Sequence, residues 1–203
     1  MKNYLVSLSL LTGLFLQTAS HSRTLIYADM VPATERVAFE NAVVLSADRL
    51  HIDPNWLMIV FRFESAGTFR PSVRNKYSGA VGLIQMIPST CRRVGTTPNQ
   101  LARMTLVEQL VYIEKYFAPY AGKMHDVYDV YIAVFAPAFL GQANKTILYR
   151  ADSPSQLGRN RYYWNKVLDG NKDGLITIKD VKKQIKQFVP KDLPKYEDFR
   201  GIE

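Results

Sequence analysis

The sequence predicts a mainly α-helical protein, with one helical domain around a buried central helix and a C-terminal helix-loop-helix segment. Three observations carry this. Apolar residues recur at helical spacing in segment after segment, several of these segments open on a capping residue, and no stretch shows sustained strand alternation. The 203 residues suffice for one domain with a real core, and 47% hydrophobic against 22% charged residues is ordinary for a globular chain.

The elements follow in order. Met1-Lys2-Asn3 precedes the apolar run Tyr4 to Leu16 and the small residues Thr18-Ala19-Ser20. A charged start, a short apolar stretch and a small-residue exit describe a secretory signal peptide over residues 1–20. The run is short for a membrane span, so no stable span is expected after cleavage; an uncleaved anchor helix is the alternative. The expected location is therefore secreted or periplasmic. Thr34 then caps a stripe of Val37, Phe39, Val43, Val44, Ala47 and Leu50. Asp53-Pro54 is a second start signal, a capping Asp before a Pro at the first helical position. The segment it opens, Asn55 to Glu64, is apolar nearly all round and should be the buried central helix.

Residues 70–82 are rich in Pro, Asn, Ser and Gly and should form a loop or short hairpin over a substrate cleft. Thr105 and Glu108 make a capping-box pattern before Leu106, Leu110, Ile113 and Phe117. Asp126 caps a segment with Val127, Val130, Tyr131, Val134 and Phe135 inside, ending near Pro137. The helical domain spans residues 30–150, and the polar stretch 190–203 reads as a loosely held tail.

The lone Cys91 makes no intramolecular disulfide, and His21, His51 and His125 lie too far apart in sequence for a metal cluster. The net charge of +8 draws polyanions without choosing among them. With no dense basic tract and no zinc or helix-turn-helix pattern, no nucleic-acid partner is expected.

Glu64 is the candidate catalytic group. A carboxylate ending an apolar helix borders low-dielectric packing on one side, which disfavours its charged form and raises its pKa. Glycoside cleavage needs such a group, still protonated near neutrality and able to donate to the leaving oxygen. The bland alternative is an ion pair with Arg62 or another cation. The neighbourhood favours catalysis. Glu64-Ser65 is followed by Gly79-Ala80-Val81-Gly82-Leu83-Ile84-Gln85-Met86-Ile87-Pro88-Ser89. A Glu-Ser step ending a buried helix, then Gly-Leu-x-Gln before Pro-Ser, resembles the soluble lytic transglycosylase and goose-type lysozyme family over about Thr34 to Gly141.

The resemblance implies a lysozyme-like fold and a peptidoglycan glycan strand as partner. It implies Glu64 as acid/base, Ser65 as a hold on the reacting sugar and Gln85 as a cleft donor. Gly79 and Gly82 would let backbone approach a bound glycan. One family element departs: Ala133 stands where an Ala-Tyr-Asn step is expected, but Val134 and Phe135 follow it. The missing hydroxyl would come from Tyr131 or from Tyr128, one turn earlier. No second carboxylate matches, since Glu108, Asp126 and Asp129 have capping uses. That favours the transglycosylase route, in which the substrate's own 6-hydroxyl attacks and an anhydro-muramyl end forms. A muramidase of the same fold and a non-catalytic wall-binding scaffold are the alternatives, and a virion-borne wall enzyme is the alternative location.

The last motif lies in a segment spanning residues 159–189. Asp169, Asn171 and Asp173 stand at positions one, three and five of an EF-hand calcium loop. Gly174 makes the sharp turn, Leu175 offers its carbonyl, and Asp180 stands at position twelve where Glu is usual. Tyr162 to Leu168 would enter the loop, and Val181, Ile185 and Phe188 would stripe the exit. Calcium is expected there as a structural staple, none being needed for catalysis; the alternative is a metal-free turn. One such loop does not explain the first half of the chain, so a calcium-regulated protein is disfavoured.

Overall fold

Asp53 does what its position dictates: its carboxylate accepts from the Asn55 N–H at 2.7 Å, and Pro54 begins helix α2, Pro54–Glu64. The α2 residues from Pro54 to Phe61 are buried, so this helix is the centre of the core, as its composition requires. These elements belong to a computed structural model that describes residues 24–193. The signal peptide expected over 1–20 lies outside the described residues.

Helix α1, Arg36–Leu50, packs on α2, where Phe39 meets Phe61, and buries Phe39, Val43, Ala47 and Leu50. Two expectations fail here. Thr34 is not the cap, because Glu35 holds that position without a side-chain bond to its own helix. Its carboxylate instead accepts from the Leu106 N–H at 2.9 Å, at the start of another helix. Val37 and Val44 are exposed, because the buried face turns through Ser46 rather than through them.

The loop after α2 closes in two isolated bridges, Arg74 to Val81 and Val81 to Met86, in keeping with a short hairpin-like turn. Helix α3, Pro88–Val94, and the short α4, Pro98–Leu101, lead to α5, Leu106–Phe117. Both bonds of the Thr105/Glu108 capping box form at the start of α5, and Leu106, Leu110, Ile113 and Phe117 are buried. Asp126 caps α6, Val127–Phe135, by accepting from the Asp129 N–H at 2.7 Å. Helix α6 packs on α2.

A small two-stranded sheet accompanies the helices of this mainly α-helical chain. Strand β1, Ile147–Arg150, pairs antiparallel with β2, Leu175–Thr177, with Ile147 opposite Thr177 and Arg150 opposite Leu175. Helix α7, Gln156–Trp164, lies between the strands in sequence, and α8, Ile178–Lys186, follows β2 directly. The division at residue 150 therefore cuts a strand pair. Helix α8 packs on α6 and α2 through buried Val181 and Ile185, which ties the C-terminal segment to the core. Leu193 is also buried, so the tail expected from Pro190 stays packed at least that far. Among the described residues no helix is long and apolar enough to cross a membrane.

Candidate active site

Helix α2 ends at Glu64 because the chain turns left-handed just beyond it. Ala66 and Gly67 have φ of +51° and +74°, and the Gly67 N–H closes on the Arg62 carbonyl at 2.7 Å. The Glu64 carboxyl is half-buried, and burial alone lifts its pKa from 4.5 to about 7. The ion pair considered from sequence is not made. The Arg62 guanidinium lies between two rings instead, 5.0 Å from the Tyr27 centroid and 4.8 Å from that of Phe188. Among the described residues no hydrogen bond or ion pair holds the Glu64 carboxylate. Its charged form is desolvated without compensation, which suits an acid that must keep its proton near neutrality.

Two phenols share its surroundings. Burial drives the Tyr131 hydroxyl well above its ordinary range, and the negative charge of Glu64 pushes it the same way. Its ring meets Phe63 edge-on at 5.1 Å, and among the described residues its hydroxyl makes no hydrogen bond. Tyr116 is pushed up to about 12, first by burial, then by Tyr120, with Arg93 opposing and Glu64 adding. Its hydroxyl donates to the Ala133 carbonyl at 2.7 Å. Tyr131 was singled out from sequence, whereas Tyr116 was not. Tyr116 stands beside the apolar stripe of α5, and only the fold turns it towards Glu64.

The other expected substrate contacts sit differently. Ser65 is fully buried, and its hydroxyl oxygen accepts from the Phe69 N–H at 3.0 Å. Gln85 is half-buried at a φ of +46°, and its amide donates to the carbonyls of Val73 and Gly82. Gly82 is required for a reason unrelated to a glycan. A Cβ there would lie 2.6 Å from the Gln109 side-chain oxygen. That oxygen accepts from the Leu83 N–H at 3.1 Å, and the Gln109 amide donates to the carbonyls of Pro71 and Leu101. Gln109 is thus the buried clasp of the whole loop, and no local pattern reveals it. Gly79 adopts a φ of +69°, and a Cβ there would meet only Pro88 at ordinary contact distance.

A cavity of about 360 Å³ opens beside this loop, lined by Gln85, Arg93, Tyr116, Val134, Phe135 and Pro137 among others. Val134 and Phe135, the apolar replacements noted in the sequence, form part of its wall.

Residues 43–109 match the transglycosylase SLT domain.

The match is a likeness of this segment to the SLT domain, whose family members are lytic transglycosylases. No curated protein and no solved structure matches the chain. The SLT match takes in most of α1, all of α2 and the loop, and it ends on Gln109. It is narrower than the Thr34 to Gly141 span of the resemblance, and leaves Tyr116, Tyr131 and the residues around Phe135 beyond it.

Four other acids in and near the matched segment are occupied elsewhere. Glu108 is held by Thr105, and Glu114 takes Ser46 and Arg49. Asp126 caps α6, while Asp129 accepts from the His125 N–H and lies 4.0 Å from Lys182.

The loop at residues 169–180 lies outside the SLT match. Asp169 is buried, and its carboxylate accepts from the Tyr162 hydroxyl at 2.6 Å and from the Asp173 and Gly174 N–H groups. The Asn171 amide donates to Asp173 at 2.7 Å, and Gly174 has a φ of +82°. Leu175 opens β2, and its N–H donates to Asp173 at 2.9 Å. The Asp180 carboxylate accepts from the Thr177 N–H and hydroxyl and lies 3.2 Å from Lys183. The entering helix also differs from expectation. Helix α7 stops at Trp164, and a separate helical turn, Lys166–Leu168, leads into the loop.

Proposed function

We propose that the chain is a lytic transglycosylase. It cuts the β-1,4 bond between N-acetylmuramic acid and N-acetylglucosamine in peptidoglycan and leaves anhydro-muramyl ends. The observation that carries this reading is the Glu64 carboxyl, half-buried at the end of α2 and titrating near 7 with neither a cation nor another acid to account for it. The SLT match over the same segment supports it.

In this reading Glu64 donates its proton to the glycosidic oxygen as the bond to the muramyl C1 breaks. The resulting carboxylate takes the proton of the muramyl 6-hydroxyl as that oxygen closes on C1. The proton is conserved on Glu64, and no water or protein nucleophile enters the bond. Tyr131 lies within the electrostatic reach of Glu64 and orients the sugar through its hydroxyl. Gln85 holds the shape of the loop and offers its remaining oxygen to the substrate, while Ser65 acts from within by fixing Phe69.

Digestion of purified peptidoglycan followed by mass spectrometry tests the reading. Anhydro-muramyl ends that vanish with Glu64→Gln are expected. Hydrated reducing ends alone would make the enzyme a muramidase, and wall binding with no release of fragments would make it a scaffold.

The location follows as part of the same proposal: an extracytoplasmic protein, or one carried by a virion. Calcium at Asp169, Asn171, Asp173, the Leu175 carbonyl and Asp180 is a separate proposal. The first three side chains and the turn at Gly174 lie together in the loop. Asp180 would have to leave Lys183 to join them. The ion would staple α7 to α8. Titration calorimetry with calcium at millimolar concentration should give heat that Asp169→Ala abolishes, and a flat trace in the parent protein would end the claim.

A further inference from the structure

A second cavity of about 380 Å³ adjoins the first, and Arg93 and Tyr116 line both. The second cavity adds Lys115, Val94, Pro119 and Tyr120. Its character differs from the first. Two cations stand at its rim, both exposed, and neither has a carboxylate partner among the described residues. The Arg93 guanidinium lies 5.5 Å from the Tyr116 ring centroid, which fixes one cation against the shared wall. The Lys115 ammonium lies 4.9 Å from the Tyr112 ring centroid. Val94, Pro119 and Tyr120 give an apolar floor.

Cations without a carboxylate partner beside an apolar lining recognise an anion carried on a body with apolar surface. Arg93 and Tyr116 line both cavities, and Gln85 and Phe135 line the first, so this anion site adjoins the loop that follows the Glu64 helix. A glycan strand offers such an anion next to the bond to be cut, in the peptide that the muramyl sugar carries through its lactyl group.

We infer that the second cavity is a carboxylate site for this muramyl-borne peptide, with Arg93 and Lys115 as its cations and Tyr116 as the wall it shares with the first cavity. The inference rests on the glycan-strand reading above. It makes the enzyme selective for strands that still carry their peptides.

The test compares kcat/KM on soluble glycan strands that carry peptides with kcat/KM on the same strands after an amidase has removed them. The wild-type ratio is expected to be about tenfold, and R93Q/K115Q should bring it near one. R93K/K115R should restore it. Both side chains are exposed, so these variants should keep the fold. A merely structural role for Arg93 against Tyr116 would lower both activities together and leave the ratio unchanged. A wild-type ratio near one, or a ratio the double variant does not change, overturns the inference.

If the wild-type protein cuts neither strand, the cleavage reading fails and the anion site is judged by calorimetry instead. The titrant is a peptide-bearing disaccharide, used with its carboxylates free and then amidated. Heat that needs free carboxylates and disappears in R93Q/K115Q upholds the site. Equal heat from both forms, or none, rejects it.

Discussion

The guanidinium of Arg62 lies 4.8 Å from the ring centroid of Phe188 and so stays away from the carboxylate two residues further on. Phe188 comes from the far end of the described chain, just past α8, and also meets Phe63 edge-on at 5.1 Å. Tyr27 closes the other side, donating its hydroxyl to the Phe188 carbonyl at 2.6 Å. The cation nearest Glu64 in sequence is thereby committed to a ring sandwich.

That commitment makes the first prediction. Arg62→Met should leave the titration midpoint of Glu64 unchanged to within about 0.3 of a pH unit, since no charge from Arg62 contributes to it. Phe188→Ala should cost about 2–3 kcal/mol of stability by stripping both Arg62 and Phe63 of a ring. A pH-activity profile checks the first, urea unfolding the second. A midpoint that climbs by a full unit in Arg62→Met would show a hidden ion pair.

The second concerns stability against pH. Folded, Glu64 keeps its proton up to about pH 7; unfolded, it releases it near pH 4.5. Between those values the native state binds more protons than the unfolded chain, so stability falls as pH rises through the window. The cost is complete above pH 7 and absent below pH 4.5. Glu64→Gln removes the titration, and should be more stable than the parent by about 2–3 kcal/mol at pH 8, the gap closing by pH 4. An equal gap at both pH values would contradict this. Activity of the parent should decline above about pH 7, where the acid is lost.

Gln109 makes the third. Gln109→Ala leaves the Leu83 N–H and the carbonyls of Pro71 and Leu101 without their partner, and should cost about 2–4 kcal/mol. Gly82→Ala should cost a similar amount, from its φ of +83° together with the 2.6 Å clash. Thermal unfolding measures both. A loss below 1 kcal/mol in each would mean that the loop is held by something else.

The fourth separates two side chains read alike from sequence. Ser65→Ala removes the acceptor for the Phe69 N–H and should lower stability by about 1–2 kcal/mol. Its KM should not move. Tyr131→Phe keeps the ring against Phe63 but deletes the hydroxyl, and should leave the melting temperature within about 1 °C while kcat falls about tenfold or more. The reverse pattern, with Ser65→Ala altering KM and Tyr131→Phe melting early, would exchange their roles.

Caps were the most legible feature of this sequence, because a cap and its helix are neighbours in the chain. Asp53, Thr105 and Asp126 all make the bonds their positions call for. Thr34 misled, because the carboxylate beside it serves the start of α5 across the core, a distance that no local pattern contains. Strand β1 is not legible for the same reason: four residues, exposed at both ends and half-buried between, become a strand only when Leu175–Thr177 arrives to pair with them. In the site, Glu64 was legible because a carboxylate on an apolar helix is conspicuous in the sequence. Tyr116, Arg93 and Gln109 were not, since each acts through a contact between segments distant in the chain. Ser65 and Gly82 read as substrate contacts in the sequence, yet in the fold Ser65 bonds to Phe69 and Gly82 abuts Gln109 inside the protein.

The close approach of Gly82 to Gln109 constrains how such a chain can diverge. Neither position is free to drift alone, because enlarging the first collides with the second and shortening the second strands three backbone groups. The two should be inherited as a pair. A descendant that has lost one of them should carry a compensating change at the other, a signature that can be sought in related genomes before any protein is purified.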